Sequence, residues 1–189
     1  MTRVITTETR AERVIDKSRF IARLTPVADM AAVTAALAET RRIWPDARHY
    51  VYAWRLRDGG REKCSDDGEP RGTGGRPLLS LLQRAQIQDA LLVVTRYFGG
   101  VLLGTGGLTR AYAGTAQLAL AQAEIIVPRA YVSYTLELNY ALYEKAKHFL
   151  AGLEAIIEKE EFAAGVTVAF ALPAEKAEIW EKQAAEWRV

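Results

Sequence analysis

A tetrapeptide that occurs twice constrains this chain more than anything else in it. Gly72-Thr73-Gly74-Gly75 and Gly104-Thr105-Gly106-Gly107 each stand just ahead of a helical pattern, and a valine-rich apolar run, Ala90 to Phe98, lies between them. Glycine lets successive N–H groups point the same way, and the start of a following helix adds positive potential, so each turn could cradle an anion. Glycine equally permits a tight turn and close packing of helix on sheet, with no ligand involved. Arg71 and Arg76 flank the first turn, and Arg96 and Arg110 the second, which turns attention to phosphate.

Two nucleotide motifs are excluded by spacing. Gly99 and Gly104 have the interval of a Walker loop, but Thr105 follows where lysine is required. Thr109 occupies the position of the third glycine in a dinucleotide fingerprint begun at Gly104 and Gly106.

Around these turns, the chain reads in order as follows. Residues 11–24 suggest a hairpin or two short strands. The spacing of Met30, Val33 and Leu37 predicts a helix from Asp29 to Ile43, closed by Trp44-Pro45. From His49 to Leu56 the residues alternate, with Tyr50, Tyr52 and Trp54 on one side of a strand. That aromatic side either stacks bases or faces the core. A helix is expected from Pro77 to about Gln86, a central strand buried on both faces from Ala90 to Phe98, and a small-residue helix from Leu108 onward. Past Pro128 the pattern becomes strand (131–138), helix (141–150), two strands (156–162 and 166–172) and helix (173–187). That βαββα order is ferredoxin-like with its last strand missing or barely formed. The expected domains are therefore 1–128 and 129–189.

Charge divides at the same place. Residues 1–128 hold 18 Lys/Arg against 13 Asp/Glu, a net of +5, and residues 129–189 hold 7 against 10, a net of −3. In the first part only Lys17 and Lys63 are lysines, so its positive charge is carried by arginine, which suits phosphate and carboxylate. A net of +5 is modest for an obligatory nucleic-acid binder. The single cysteine, Cys64, allows no internal disulfide, the N-terminus has neither a signal core nor a transit composition, and no apolar run approaches membrane-spanning length. A cytoplasmic location, with no membrane contact, is expected.

Ionisable residues that could carry chemistry concentrate at Ser65-Asp66-Asp67-Gly68-Glu69-Pro70. Asp66, Asp67 and Glu69 could share a hard cation or place one carboxyl in an acid-base role. Three local carboxylates supply too few oxygens for a cation cage, and the same residues suit a turn that satisfies backbone N–H groups or pairs with Arg71 and Arg76. No metal or other cofactor is expected. His49 stands as a further catalytic candidate, and nothing in the sequence places it beside Cys64. His148 reads as a solvated helix residue.

Taken together, these residues resemble a known family. Ser65-Asp66-Asp67-Gly68-Glu69-Pro70, its continuation to Pro77, Arg96-Tyr97-Phe98-Gly99-Gly100 and Leu103-Gly104-Thr105-Gly106-Gly107-Leu108 followed by Arg110-Ala111-Tyr112 resemble the IMPACT/YigZ signature. Lys17-Ser18-Arg19-Phe20-Ile21 and Ala47 with His49 and Ala53 extend the likeness upstream. Gly74, alanine in many relatives, and Cys64, which is outside the signature, depart from it. The resemblance implies an α+β chain: an N-terminal domain like domain 2 of ribosomal protein S5 and domain IV of elongation factor G, then a ferredoxin-like domain like that factor's last. It further implies a part in translation, since eukaryotic relatives are associated with control of initiation through the Gcn kinase pathway.

Two functions follow as expectations. One is a translation-associated binding protein that contacts RNA, the ribosome or a protein partner. Its anion-binding groups would be Arg71, Gly72, Thr73, Gly74, Gly75, Arg76, Arg96, Gly104, Thr105, Gly106, Gly107 and Arg110. The other is an enzyme for a phosphorylated or nucleotide substrate, using Asp66, Asp67, Glu69 and His49.

Overall fold

Apolar alternation on both faces of a strand demands cover on both faces, and the N-terminal unit supplies it. The structure, a computed structural model, describes residues 2–187, and the chain divides into two compact units, 1–128 and 129–189. In the first, β1 (Val4–Ile5) pairs with β7 (Ile125–Ile126) in a short ladder. The main sheet comprises β2 (Thr9–Ile15), β3 (Ser18–Pro26), β4 (His49–Arg55), β5 (Glu62–Ser65) and β6 (Ala90–Tyr97). Its order is β2-β3-β6-β4-β5, with every neighbouring pair antiparallel.

One face of that sheet carries α2 (Gly75–Arg84) and α3 (Gly104–Ala121), the other α1 (Met30–Ile43). On β6, Leu92 and Val94 join the core beneath α2 and α3, while Leu91 and Val93 join the core beneath α1. The expected doubly buried central strand is thus present, third of five. The aromatic side of β4 is core: Tyr50 and Trp54 are buried with Val33 and Ala36 of α1, so these rings are not a stacking platform.

Asp29 caps α1 as its spacing predicts, its carboxylate accepting the N–H of Ala32 at 2.8 Å. The β2–β3 hairpin closes on Asp16 and Lys17, both at positive φ, the two-residue turn whose twist matches its strands. β5, β1 and β7 are too short to leave a periodic signal in the sequence. α2 starts two residues earlier than the proline suggests, and α3 starts at the glycines themselves.

The second unit orders β8 (Tyr131–Leu138), β10 (Val166–Pro173) and β9 (Ile156–Phe162) as β8-β10-β9, antiparallel throughout. α4 (Tyr140–Gly152) and α5 (Ala177–Trp187) connect and follow these strands. The topology is the ferredoxin-like βαββα with the final strand absent among the described residues. Its core joins Leu136, Leu150, Val168 and Phe170 to Trp180 and Trp187. No helix among the described residues is long and apolar enough to cross a membrane.

Candidate functional site

Residues 66–75 form a loop that satisfies itself. The Asp66 carboxylate accepts the N–H groups of Gly72 (2.8 Å), Gly74 (3.0 Å) and Gly75 (2.8 Å). The anion held by the first glycine turn is therefore the chain's own. Burial acts to raise the Asp66 carboxyl, but the three donors, aided by Arg71, outweigh it and hold it below the ordinary range. Asp67 serves other partners, with Oδ2 accepting the N–H of Tyr50 at 2.8 Å and Oδ1 meeting Arg41 at 3.3 Å. The three carboxylates do not converge, and no group of three or more His, Cys, Asp or Glu among the described residues is placed to hold a metal.

A lowered carboxyl pKa contributes stability above the unfolded value and loses it as pH falls through the folded one. For Asp66 that loss begins near its ordinary value of 3.8 and continues below it. Asp66→Asn is therefore expected to cost stability at neutral pH and to flatten the acid limb, as urea midpoints measured between pH 7 and pH 3 would show. An unchanged acid limb would contradict the assignment.

Glu69 turns inward. Its side chain is only 3% exposed, and Oε1 accepts Arg96 Nη1 and Tyr112 Oη, each at 2.7 Å. Burial foremost, then the bond to Glu69, raises the Tyr112 hydroxyl, so it remains a donor. Arg96 is 5% exposed and gives Nη2 to Ser18 Oγ at 3.2 Å. Its guanidinium carbon lies 5.4 Å from the Phe20 ring centroid and 5.3 Å from that of Phe98, and Phe20 meets Tyr112 edge-on at 5.2 Å. Arg96, read from the sequence as a surface phosphate ligand, is thus an internal strut, because the cluster consumes both terminal nitrogens.

His49 begins β4 beside this cluster. Nδ1 lies 2.8 Å from the Asp67 carbonyl, which can only accept, so Nδ1 carries the proton and Nε2 of the neutral ring is an acceptor. Nε2 stands 3.8 Å from Glu69 Oε1. Cys64 is not its partner: Cys64 registers with Ala53, four residues along β4 and hence about 13 Å away. Burial first, then Asp66, raises the Cys64 thiol, the reverse of nucleophile activation.

The second glycine turn differs from the first. No side chain caps α3, and Gly104, Thr105 and Gly106 are exposed. Two clefts flank this helix start. One, of about 420 Å³, is lined by Arg48, His49, Glu69, Arg96, Phe98 and residues 102–105. The other, of about 410 Å³, is lined by Arg13, Asp16, Leu103, Gly107 and Arg110. Arg13, Arg48, Arg71, Arg76 and Arg110 form no ion pair among the described residues. Arg13 and Arg48 escape a reading of the sequence because their closeness to α3 depends on the sheet.

A family model described as the Impact N-terminal domain matches residues 16–120. The chain belongs to the IMPACT family. A second model, a domain of unknown function (DUF1949), matches residues 136–187 of this family member. IMPACT family member YigZ of Escherichia coli (strain K12) is 38% identical over 172 residues, covering 86% of this chain and 81% of that protein. Protein IMPACT of Bos taurus is 39% identical over 95 residues, 47% of this chain and 29% of its own. A crystal structure titled as that of a hypothetical protein superposes with a TM-score of 0.69 at 34% identity, covering 98% of this chain and 91% of that one. The stretches that carry the family likeness contribute Ser18, Phe20, Glu69, Arg96, Phe98 and Tyr112, the residues that interlock around the buried ion pair.

Proposed function

We propose that this chain is a translation-associated regulatory protein that contacts RNA, free or within the ribosome, through the arginine surface around the start of α3. One observation carries the reading: an exposed, uncapped helix start is flanked by Arg13, Arg48 and Arg110, none of them paired with a carboxylate. Backbone N–H groups and unpaired guanidiniums together suit phosphate oxygens. The Asp66 and Asp67 carboxylates, which would repel an anion, are occupied within the loop, and the charge of Glu69 is balanced by Arg96. Arg71 and Arg76, both exposed, add positive charge at the first turn. The link to translation rests on family membership, and a ferredoxin-like second unit suits a module that orients or recruits a partner.

Fluorescence anisotropy with single-stranded RNA tests this. Three phosphate contacts predict about a twentyfold loss of affinity between 50 and 200 mM salt. Arg13→Glu with Arg110→Glu is expected to weaken binding at least about tenfold and flatten the salt slope, with an unchanged unfolding midpoint. No association at the lowest salt would sink the proposal.

A further inference from the structure

The cleft beside His49 has a chemistry that plain phosphate binding does not use. Its polar floor presents acceptors. Glu69 Oε1 is taken by Arg96 and Tyr112, but Oε2 accepts no hydrogen bond from any described residue, although the side chain is almost wholly buried. In its neutral form the His49 ring adds a second acceptor at Nε2, because Nδ1 gives its proton to the Asp67 carbonyl. The walls are apolar: Phe98, 43% exposed, and Leu102, 87% exposed, both line the cleft and leave apolar surface open to a ligand. Phe98 has Arg96 on one side of its ring, which holds it in place. At the mouth lie the uncapped start of α3, Gly104 and Thr105, and the unpaired Arg48.

We infer that this cleft receives a single guanine base carrying a 5′ phosphate, an inference that rests on the RNA reading above and narrows it. The volume of about 420 Å³ is in the range of small-molecule sites. A flat ring stacks against Phe98 and Leu102 as an unpaired base does on aromatic platforms. Two neighbouring acceptors require two neighbouring donors, and among the four bases only guanine offers them, as N1–H and the 2-amino group. Adenine, cytosine and uracil each place an acceptor beside a donor on that edge, which would face Glu69 or His49 unfavourably. The phosphate meets the helix start and Arg48. A cationic donor such as an arginine side chain is disfavoured, because the Glu69 charge is already balanced by Arg96 and the mouth is positive. The base could belong to an RNA strand or to a free guanine nucleotide.

Ligand-detected NMR and calorimetry on the full chain with GMP, AMP, CMP and UMP test the pocket. GMP is expected to bind at least about tenfold more tightly than the others, and IMP, which lacks the 2-amino group, between the two. Phe98→Ala is expected to remove most of the GMP affinity through lost stacking, whereas Phe98→Tyr, which keeps the ring against Arg96, is expected to retain it; thermal unfolding of both variants separates lost stacking from a loosened Arg96. A parallel arm compares uridine oligomers with and without one central guanosine. Preference for the guanosine oligomer identifies an RNA base as the ligand, whereas GMP binding without RNA binding keeps the pocket, identifies a free nucleotide and removes the RNA reading. Four mononucleotides binding within twofold of one another, or none binding at millimolar concentration, overturns the guanine pocket. Equal, salt-dependent binding of both oligomers in that case leaves the RNA reading intact.

Discussion

Glu69→Ala is expected to lower the unfolding free energy by about 3–5 kcal/mol, measured from urea unfolding at neutral pH. The change would strand the Arg96 guanidinium, buried between two aromatic rings, without its counter-charge and leave the Tyr112 hydroxyl without its acceptor. Breaking a buried pair from one side costs far more than the pair adds in net stability, since both charges had to be desolvated to form it. Tyr112→Phe, which removes one hydrogen bond and leaves the ring in place, should cost about 1 kcal/mol. The double variant should fall short of the sum, because the two residues share one bond. A loss below about 1 kcal/mol for Glu69→Ala would mean that the carboxylate is solvated rather than enclosed.

Gly99→Ala is expected to cost about 3 kcal/mol or more. A Cβ built at Gly99 would lie 2.0 Å from the Lys17 carbonyl carbon, 2.2 Å from its oxygen and 2.4 Å from Ser18 N, all backbone atoms. Nothing there can rotate away, so the tip of the β2–β3 hairpin would have to move. That movement would strain the Arg19–Tyr97 register and pull Ser18 Oγ from Gly99 N and Arg96 Nη2. Thermal unfolding of the variant checks this, and Gly100→Ala is the comparison. At Gly100 a Cβ meets nothing within 4 Å, so its penalty comes only from a φ of +84°. Gly99→Ala should be the more damaging of the two.

Much of the architecture was legible in order. Alternation marked β4, the apolar run from Ala90 to Phe98 marked a strand with neighbours on both faces, and Asp29 marked the start of α1. Short pairings were not legible: β1 and β7 are two residues each and exist only because chain segments about 120 residues apart lie side by side. The candidate site was legible as a list of residues and not as an arrangement. Two copies of Gly-Thr-Gly-Gly look alike as text, yet one has its N–H groups filled by Asp66 and the other stands open at the start of α3. What separates them is the preceding Asp66-Asp67-Gly68 turn, in which Asp67 and Gly68 adopt positive φ and fold the carboxylate back over the glycines.

By itself, then, the sequence determined the family, the two-part α+β organisation and the stretches that carry the family likeness, because periodicity, glycine spacing and charge are local and survive in one dimension. Only the tertiary structure decided which charged groups face outward. Arg96 and Arg110 flank the same segment, but Arg96, near the end of the central strand, is held inside by Glu69, Ser18 and two rings, while Arg110 stays exposed on α3 beside Arg13. Burial and pairing depend on residues dozens of positions away, and that long-range geometry separates the strut from the surface.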